Sequence, residues 1–258
     1  MSFKNKYPIE QRWLPKGSKR RSGLNNAGIR FVVAHDTGND GSTAGGNVNY
    51  YINSAHEQEA SAHVFIDHQS IIECIPLNEK AWHVLYNTTA DNVRYGCNAN
   101  DAAIGVELCY SSRAGGIDNA ESYKRYVWYM AYLCHKFNLD PFNDIAGHNE
   151  LDPARKSDPF RNALKIMNIT KERFLQDVAD EWKACTSADP ADQTICPEEE
   201  EPMKLEKWAN DMLIAALSEL KAKGYFTDAN WIEKAKSQSL TAAELAFLNT
   251  ILISKTVK

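Results

Sequence analysis

An abrupt change of composition after residue 185 limits how this chain can fold. The segment 186–202, T-S-A-D-P-A-D-Q-T-I-C-P-E-E-E-E-P, carries six acidic residues and three prolines, and Ile195 is its single large aliphatic residue. Proline and like charges keep such a segment extended, and it has too few apolar side chains to build a core. We therefore expect a domain over 1–185, a linker over 186–202 and a small domain over 203–258.

Charge and hydropathy exclude several classes of protein. The 258 residues carry a net charge of -5, of which the segment 186–202 alone contributes -6, and no basic face of the kind that binds nucleic acid is evident. No run of about 18 apolar residues exists, so we expect no membrane span. The first residues lack the apolar core of a secretory signal, which predicts folding in a cytoplasm.

Apolar, β-branched runs alternate with helical patterns over the first 185 residues. One run precedes His35, one surrounds Glu107, and two flank a turn at His68-Gln69 as an expected hairpin. Helical spacing of apolar residues predicts helices over 119–138 and 169–185. The fold class is therefore α/β, with a mixed central sheet flanked by helices and a small all-α domain after it.

Two polar stretches of the first domain are expected to lie outside this framework. The first 30 residues contain eight basic residues against Glu10 alone, and we expect them to form an irregular, solvated arm. The glycine-rich stretch 38–46 is expected to be a loop, with a short helix after it. Six cysteines without paired C-x-x-C spacing favour free thiols, although Cys185 and Cys196 could pair if oxidised.

Three side chains suggest a metal site. His35 ends a predicted buried strand, His148 follows a second short strand, and Asp158 lies in a proline-rich extended or turning segment. Two imidazoles and a carboxylate suit a divalent metal such as zinc, with a fourth position left for water. In an extended segment Lys156 faces the same space as Asp158, where an ammonium group can stabilise an oxyanion.

Residues 25–183 resemble the type-2 family of zinc-dependent N-acetylmuramoyl-L-alanine amidases, whose fold is shared with peptidoglycan recognition proteins. The resemblance is carried by F-V-V-A-H-D-T-G, I-G-V-E-L, A-W-H, A-G-H and K-S-D-P. It implies that His35, His148 and Asp158 bind Zn²⁺.

The same resemblance implies roles for the other motif residues. Glu107 would carry the proton of a zinc-activated water, and Lys156 would stabilise the tetrahedral oxyanion. His83 would hold substrate near the metal, and Trp82 would either contact a sugar or pack in the core. Some members place a tyrosine just before the histidine of the A-H-V-F strand, where this sequence has Ala62; this difference favours Glu107 as the proton carrier.

The resemblance further implies hydrolysis of the amide between N-acetylmuramic acid and L-alanine in peptidoglycan. The loop 38–46 and the polar segment 86–100 would line the cleft. Three alternatives remain: a non-catalytic peptidoglycan-binding module of the same fold, a zinc peptidase that cuts within the stem peptide, and a host amidase of wall remodelling.

The two-part organisation resembles endolysins of phages that infect Gram-positive hosts, which would act on the wall after holin-type release from the cytoplasm. Residues 203–258 predict three helices, the third opening with a T-A-A-E capping box at 241–244, and we expect this module to bind a cell-wall polymer. A core of this size is marginal, and self-association of the module would stabilise it. E-E-E-E-P-M also suggests an internal translation start at Met203, which would supply a free copy of the module.

Overall fold

The computed structural model describes residues 2–187, 205–226, 230–240 and Leu245. Two compact units divide the chain at Ser187, and each is presented by itself. In the described ranges no helix is both long enough and apolar enough to span a membrane.

The first unit, Met1–Ser187, is built on one six-stranded mixed sheet. Its spatial order is β1-β4-β3-β5-β2-β6. Only the β3–β4 pair is antiparallel, and it forms the predicted hairpin around His68-Gln69. The strands are β1 (Ile9–Gln11), β2 (Phe31–Asp36), β3 (Val64–Ile66), β4 (Ile71–Glu73), β5 (Ala103–Leu108) and β6 (Ile145–Gly147).

Helices cover both faces of this sheet, which confirms the predicted α/β architecture. The helices of the first unit are α1 (Ala44–Asn53), α2 (Ala90–Tyr95), α3 (Ala99–Ala102), α4 (Asn119–Phe137), α5 (His148–Leu151), α6 (Ala163–Ile166) and α7 (Lys171–Thr186). One face buries α4 and α7 against residues such as Val32, Ile66 and Val106. The opposite face carries α1 against Phe65 and Ile72. Alternate residues of each strand therefore supply two separate apolar layers.

The helix α1 begins earlier than the sequence predicts. The stretch expected to be a loop over 38–46 ends at Thr43, because the Thr43 side chain accepts a hydrogen bond from the Gly46 N–H and caps the helix. The Asp67 carboxylate accepts another from the Ala44 N–H at 2.8 Å. A cap supplied from a distant hairpin overrides the low helix propensity of Gly45 and Gly46.

The prediction of an irregular, solvated N-terminal arm holds for most of its basic residues, which are exposed, but not for residues 9–11, Arg20 or Arg21. Residues 9–11 form β1, which pairs in parallel with β4, and the side chains of Arg20 and Arg21 are buried. Arg21 forms a two-bond ion pair with the buried Glu79 at 2.7 and 2.8 Å. A buried guanidinium is tolerated where it is paired and hydrogen-bonded, which composition alone does not reveal.

The second unit is described over two helices, α8 (Lys207–Ala222) and α9 (Asn230–Lys236). Leu217, Phe226 and Ala235 form a small apolar cluster between them. The predicted end of α8 at Gly224 is confirmed, since this glycine has a φ of +77° just beyond the helix. The predicted third helix except Leu245, the 186–202 linker beyond Ser187, and Met203 lie outside the described residues, and Cys196 lies in that linker. Cys74, Cys97, Cys109, Cys134 and Cys185 are free thiols.

Candidate metal centre and active site

Two parallel strands place the first polar side chains of the site. His35 of β2 lies directly beside Glu107 of β5 in the sheet register, so both side chains point from the same face. Glu107 is also paired with Phe65 of β3. Apolar residues fill the strands before them, and the two polar side chains therefore lie at the carboxyl ends of adjacent strands.

His148 and Asp158 complete a three-residue group with His35. The Nδ1 atoms of His35 and His148 each lie 3.0 Å from Asp158 Oδ2. One donor atom from each residue lies within 4.8 Å of the other two, and this group could hold a metal ion. Both imidazoles are buried, at 2% and 3% exposure.

Burial and hydrogen bonding set the charge of this group. Burial and the neighbouring His148 lower the pKa of His35 to about 4, which leaves its imidazole neutral at pH 7. Burial opposes ionisation of Asp158, but hydrogen bonds from His148 and His35 outweigh it and hold the pKa below its ordinary value. A neutral His35 imidazole and an ionised Asp158 carboxylate are protonation states that metal binding requires.

The pKa of Glu107 is shifted in the opposite direction to that of Asp158. Burial and the negative charge of Asp158 raise its pKa well above the ordinary value. Its Oε2 atom is buried without a hydrogen-bond partner in the described part of the chain, as is Nε2 of His148. Unpartnered buried polar atoms are costly, and at a site they indicate a missing ion, water or substrate.

His83 lies over β5 and reaches the metal group. Its Nδ1 atom is 3.1 Å from Nε2 of His35. The side chain of Asn100 fixes the loop by accepting hydrogen bonds from the N–H groups of His83 and Val84 at 2.9 and 3.0 Å. Gly105 is required beneath the ring, since a Cβ atom there would lie 2.7 Å from His83 Cγ.

A buried carboxylate of β2 fixes the segment that carries Asp158. Asp36 accepts hydrogen bonds from Asn162 Nδ2 and the Ala163 N–H at 2.8 and 2.9 Å. The Asp158 carbonyl accepts another from the Asn149 N–H at 2.8 Å. These contacts hold the turn after His148 against the end of the strand that carries His35.

One cavity of about 340 Å³ collects all seven residues that the sequence singled out: His35, Trp82, His83, Glu107, His148, Lys156 and Asp158. Of the expected cleft segments, only Gly38 lines it from the loop 38–46, and no residue of 86–100 does. Tyr51, Glu59 and Arg155 line it as well and were missed by the sequence reasoning. Tyr51 lies in a helical sequence pattern, and the sequence does not distinguish an aromatic residue that lines a cavity from one that packs in the core.

The remaining histidines stay outside the metal group. His63 is fully buried, with Nε2 3.0 Å from the Glu79 carbonyl and Nδ1 accepting from the Gly105 N–H. These two bonds give His63 a structural role. His56 is exposed, and His68 and His135 are partly exposed.

The sequence around this cavity matches a known protein family. The model of the family described as N-acetylmuramoyl-L-alanine amidase matches residues 25–161. The chain belongs to this amidase family. The matched segment contains all seven cavity residues that were predicted from the sequence. It begins after Arg20 and Arg21.

Relatives and solved structures agree with the amidase family. The N-acetylmuramoyl-L-alanine amidase BlyA of Bacillus subtilis is 34% identical over 147 residues, which are 54% of this chain and 39% of the relative. The chain thus spans about two fifths of that relative's length. The catalytic domain of XlyA has a TM-score of 0.53 at 25% identity, covering 67% of this chain and 99% of that one. A mutant endolysin from Bacillus subtilis has a TM-score of 0.52 at 25% identity, covering 66% and 98%.

Proposed function

We propose that this protein is a zinc-dependent N-acetylmuramoyl-L-alanine amidase that hydrolyses the amide between N-acetylmuramic acid and L-alanine of peptidoglycan. The observation that carries the proposal is the convergence of His35, His148 and Asp158 beside Glu107 in one cavity of an amidase-family chain. The neutral His35 imidazole, the ionised Asp158 carboxylate and the unpartnered Nε2 atom of His148 fit a divalent cation. His35, His148 and Asp158 would hold Zn²⁺, which would supply Lewis-acid polarisation of the amide carbonyl and a water whose pKa is lowered to roughly 7.

Glu107 and Lys156 supply the remaining chemistry in this proposal. Glu107 takes the proton of the attacking water and passes it to the nitrogen of the departing L-alanine. The Lys156 ammonium, which lines the same cavity, stabilises the negative charge that develops on the carbonyl oxygen. His83 and the half-buried Trp82 hold the substrate on the other wall.

Product analysis tests the amidase proposal. Digestion of peptidoglycan by the full chain should release stem peptides with a free L-alanine amino terminus and leave intact muramic acid glycans, as measured by mass spectrometry. A chelator should abolish the release, and Glu107→Gln should lower its rate at least about 100-fold. Glu57→Gln, an exposed carboxylate outside the cavity, is the matched control and should act as wild type.

Two of the alternatives have their own product patterns. Cleavage between other residues of the stem peptide would identify a zinc peptidase. Binding to peptidoglycan without cleavage would leave a recognition module of the amidase fold. Glu107→Gln at the wild-type rate would remove Glu107 from the reaction while leaving the amide specificity in place.

We also propose a division of labour in which residues 1–185 carry the reaction, 186–202 link, and 203–258 bind a cell-wall polymer. Trp208 and Met212 of α8, at 69% and 66% exposure, supply apolar surface for such a ligand. The endolysin setting, with release of a cytoplasmic protein to the wall, belongs to the same proposal. Binding of fluorescent full chain to purified cell walls should weaken in Trp208→Ala, while hydrolysis of solubilised peptidoglycan stays unchanged.

The internal start at Met203 and the self-association of the module remain proposals of their own. A C-terminally tagged protein purified from a bacterial host should give two bands, and the smaller band should disappear in Met203→Leu. A single band from the unchanged gene would contradict the internal start.

A further inference from the structure

The wall of the cavity beside Glu107 contains an aromatic residue with no role in the proposed reaction. Tyr51 belongs to α1, lines the same cavity as Glu107, and is half-buried. Its hydroxyl group has no hydrogen-bond partner among the described residues. A phenol O–H is both a donor and an acceptor, and at the wall of a cavity it is available to a bound molecule.

The sheet register places this phenol beside Glu107. His35, Glu107 and Phe65 are side-by-side residues of β2, β5 and β3, so their side chains form one row on one face. The Tyr51 ring packs edge-on against Phe65, with ring centroids 5.1 Å apart and an angle of 87°. Tyr51 therefore lies on the side of Glu107 that faces away from His35.

Tyr51 is held by a residue of the N-terminal arm. The guanidinium carbon of Arg20, which is fully buried, lies 4.2 Å from the centroid of the Tyr51 ring. The same guanidinium donates from Nε to the Ser54 carbonyl and hydroxyl at 3.1 Å, and from Nη1 to the Ala60 carbonyl. Arg20 thus ties the end of α1 to the segment 59–61, which also lines the cavity.

Burying the Arg20 guanidinium costs more free energy than filling the same space with an apolar side chain. A buried cation is unfavourable unless its hydrogen bonds and its ring contacts compensate for lost hydration. A planar guanidinium satisfies several acceptors in fixed directions and stacks on an aromatic face, which fixes the ring plane of Tyr51. Burial and the nearby Glu107 raise the Tyr51 pKa, so the hydroxyl keeps its proton at neutral pH.

We propose that the Tyr51 hydroxyl contacts the substrate as a hydrogen-bond donor beside Glu107, and that Arg20 is the positioning residue that orients it. The inference rests on the proposed amidase function and adds a substrate contact to that site. The acceptor is an oxygen atom of the muramoyl peptide on the side of the reacting amide away from the His35 imidazole. Arg20 lies before the matched family segment 25–161, so this wall depends on a part of the chain outside that match.

Two matched variants of the full chain test the hydroxyl contact. Tyr51→Phe and Tyr50→Phe each remove one oxygen atom and keep a ring beside Arg20, whose guanidinium lies 5.2 Å from the Tyr50 ring. Tyr50 is 54% exposed and does not line the cavity. The measurements are kcat/KM for release of L-alanine amino termini, and the Kd for N-acetylmuramoyl dipeptide by calorimetry on metal-free protein, where no turnover occurs.

The hydroxyl contact predicts a loss for one variant only. Tyr51→Phe should lower kcat/KM or raise the Kd by about threefold to tenfold, the effect of one hydrogen bond, while Tyr50→Phe should match wild type. Equal values for Tyr51→Phe and wild type in both measurements would overturn the proposal. An equal loss in Tyr50→Phe would also overturn it, because the effect would then belong to the Arg20 ring contacts.

A double-mutant cycle tests the positioning role of Arg20. Arg20→Lys keeps the charge and loses the planar, multiply bonded group, so kcat/KM should fall. In the Tyr51→Phe background the same change should cost less, because the hydroxyl that it positions is already absent. Strictly additive effects would assign Arg20 to stability alone.

Wild type measured in the same assays separates the two claims. A wild-type protein that releases no L-alanine amino termini would contradict the amidase function. Normal release together with an unaffected Tyr51→Phe variant would contradict only the contact from Tyr51.

Discussion

His63 illustrates how burial dominates the charge of a side chain next to this site. Both of its ring nitrogens are used inside the protein, one facing the Glu79 carbonyl and the other accepting from the Gly105 N–H. Burial lowers its pKa from 6.5 to about 4. The neutral ring therefore links the segment before His83 to the strand beneath it.

The His63 pKa predicts a specific dependence of stability on pH. Because the unfolded chain binds the proton first, the contribution of His63 is complete above pH 6.5 and is lost as the pH falls from 6.5 towards 4. Between pH 7 and pH 5 the wild-type free energy of unfolding should fall by about 2 kcal/mol more than that of His63→Gln. Urea titrations of both proteins in chelator measure this difference, and parallel pH profiles would contradict it.

Site residues could be predicted from the sequence where a polar side chain lies in or directly after an apolar strand pattern. His35, Glu107 and His148 stand out because polar residues follow or interrupt apolar strand patterns, and the motifs around them supplied the roles. Tyr51 could not be found in this way, since an aromatic residue on an amphipathic helix is normally part of the core. Its place in the cavity depends on Phe65 and Arg20, which are distant in the chain.

At the scale of elements, the N-terminal arm departs most from the sequence prediction. A run of basic residues predicts solvation, whereas β1 completes the sheet edge and Arg21 lies buried against Glu79. Pairing of this kind joins residues 58 positions apart, and no local pattern reports it. The strands and long helices were predictable because their apolar periodicity is local.

The buried ion pair of the arm predicts an asymmetry between two arginines. Arg21→Met leaves the Glu79 carboxylate buried and unpaired, and should lower the free energy of unfolding by about 3 to 5 kcal/mol. Arg12→Met breaks an exposed pair with Glu10 and should cost less than about 1 kcal/mol. Chemical denaturation measures both values.

A double variant completes this test of the arm. Arg21→Met combined with Glu79→Met removes both charges and should recover much of the stability that Arg21→Met loses. Equal small losses for Arg21→Met and Arg12→Met would show that the Glu79 pair contributes no more than an exposed one.

At the scale of the whole molecule, metal binding should stabilise the unit that contains His35, His148 and Asp158. A ligand that binds only the folded state adds about 2.7 kcal/mol when its concentration is 100 times the Kd. Added Zn²⁺ should therefore raise the Tm of the wild-type protein, and His148→Ala should remove the increase. His56→Ala, an exposed histidine outside the cavity, should keep it.

Differential scanning calorimetry of the full chain measures these shifts. An equal rise of Tm in wild type and His148→Ala would place the metal elsewhere in the protein. A rise of Tm in wild type and His56→Ala, but not in His148→Ala, would place the metal at the group of His35, His148 and Asp158.

The buried arm also determines which piece of this protein can be transplanted. A chimaera that borrows residues 25–161, the span that homology delineates, leaves behind an edge strand, the cation that orients Tyr51 and the cation that neutralises Glu79. It also discards α7, whose Phe174 and Val178 fill the layer beneath the sheet. The segment to transfer to a chimaera is consequently the whole unit Met1–Ser187. Its boundaries are set by packing contacts and not by sequence similarity.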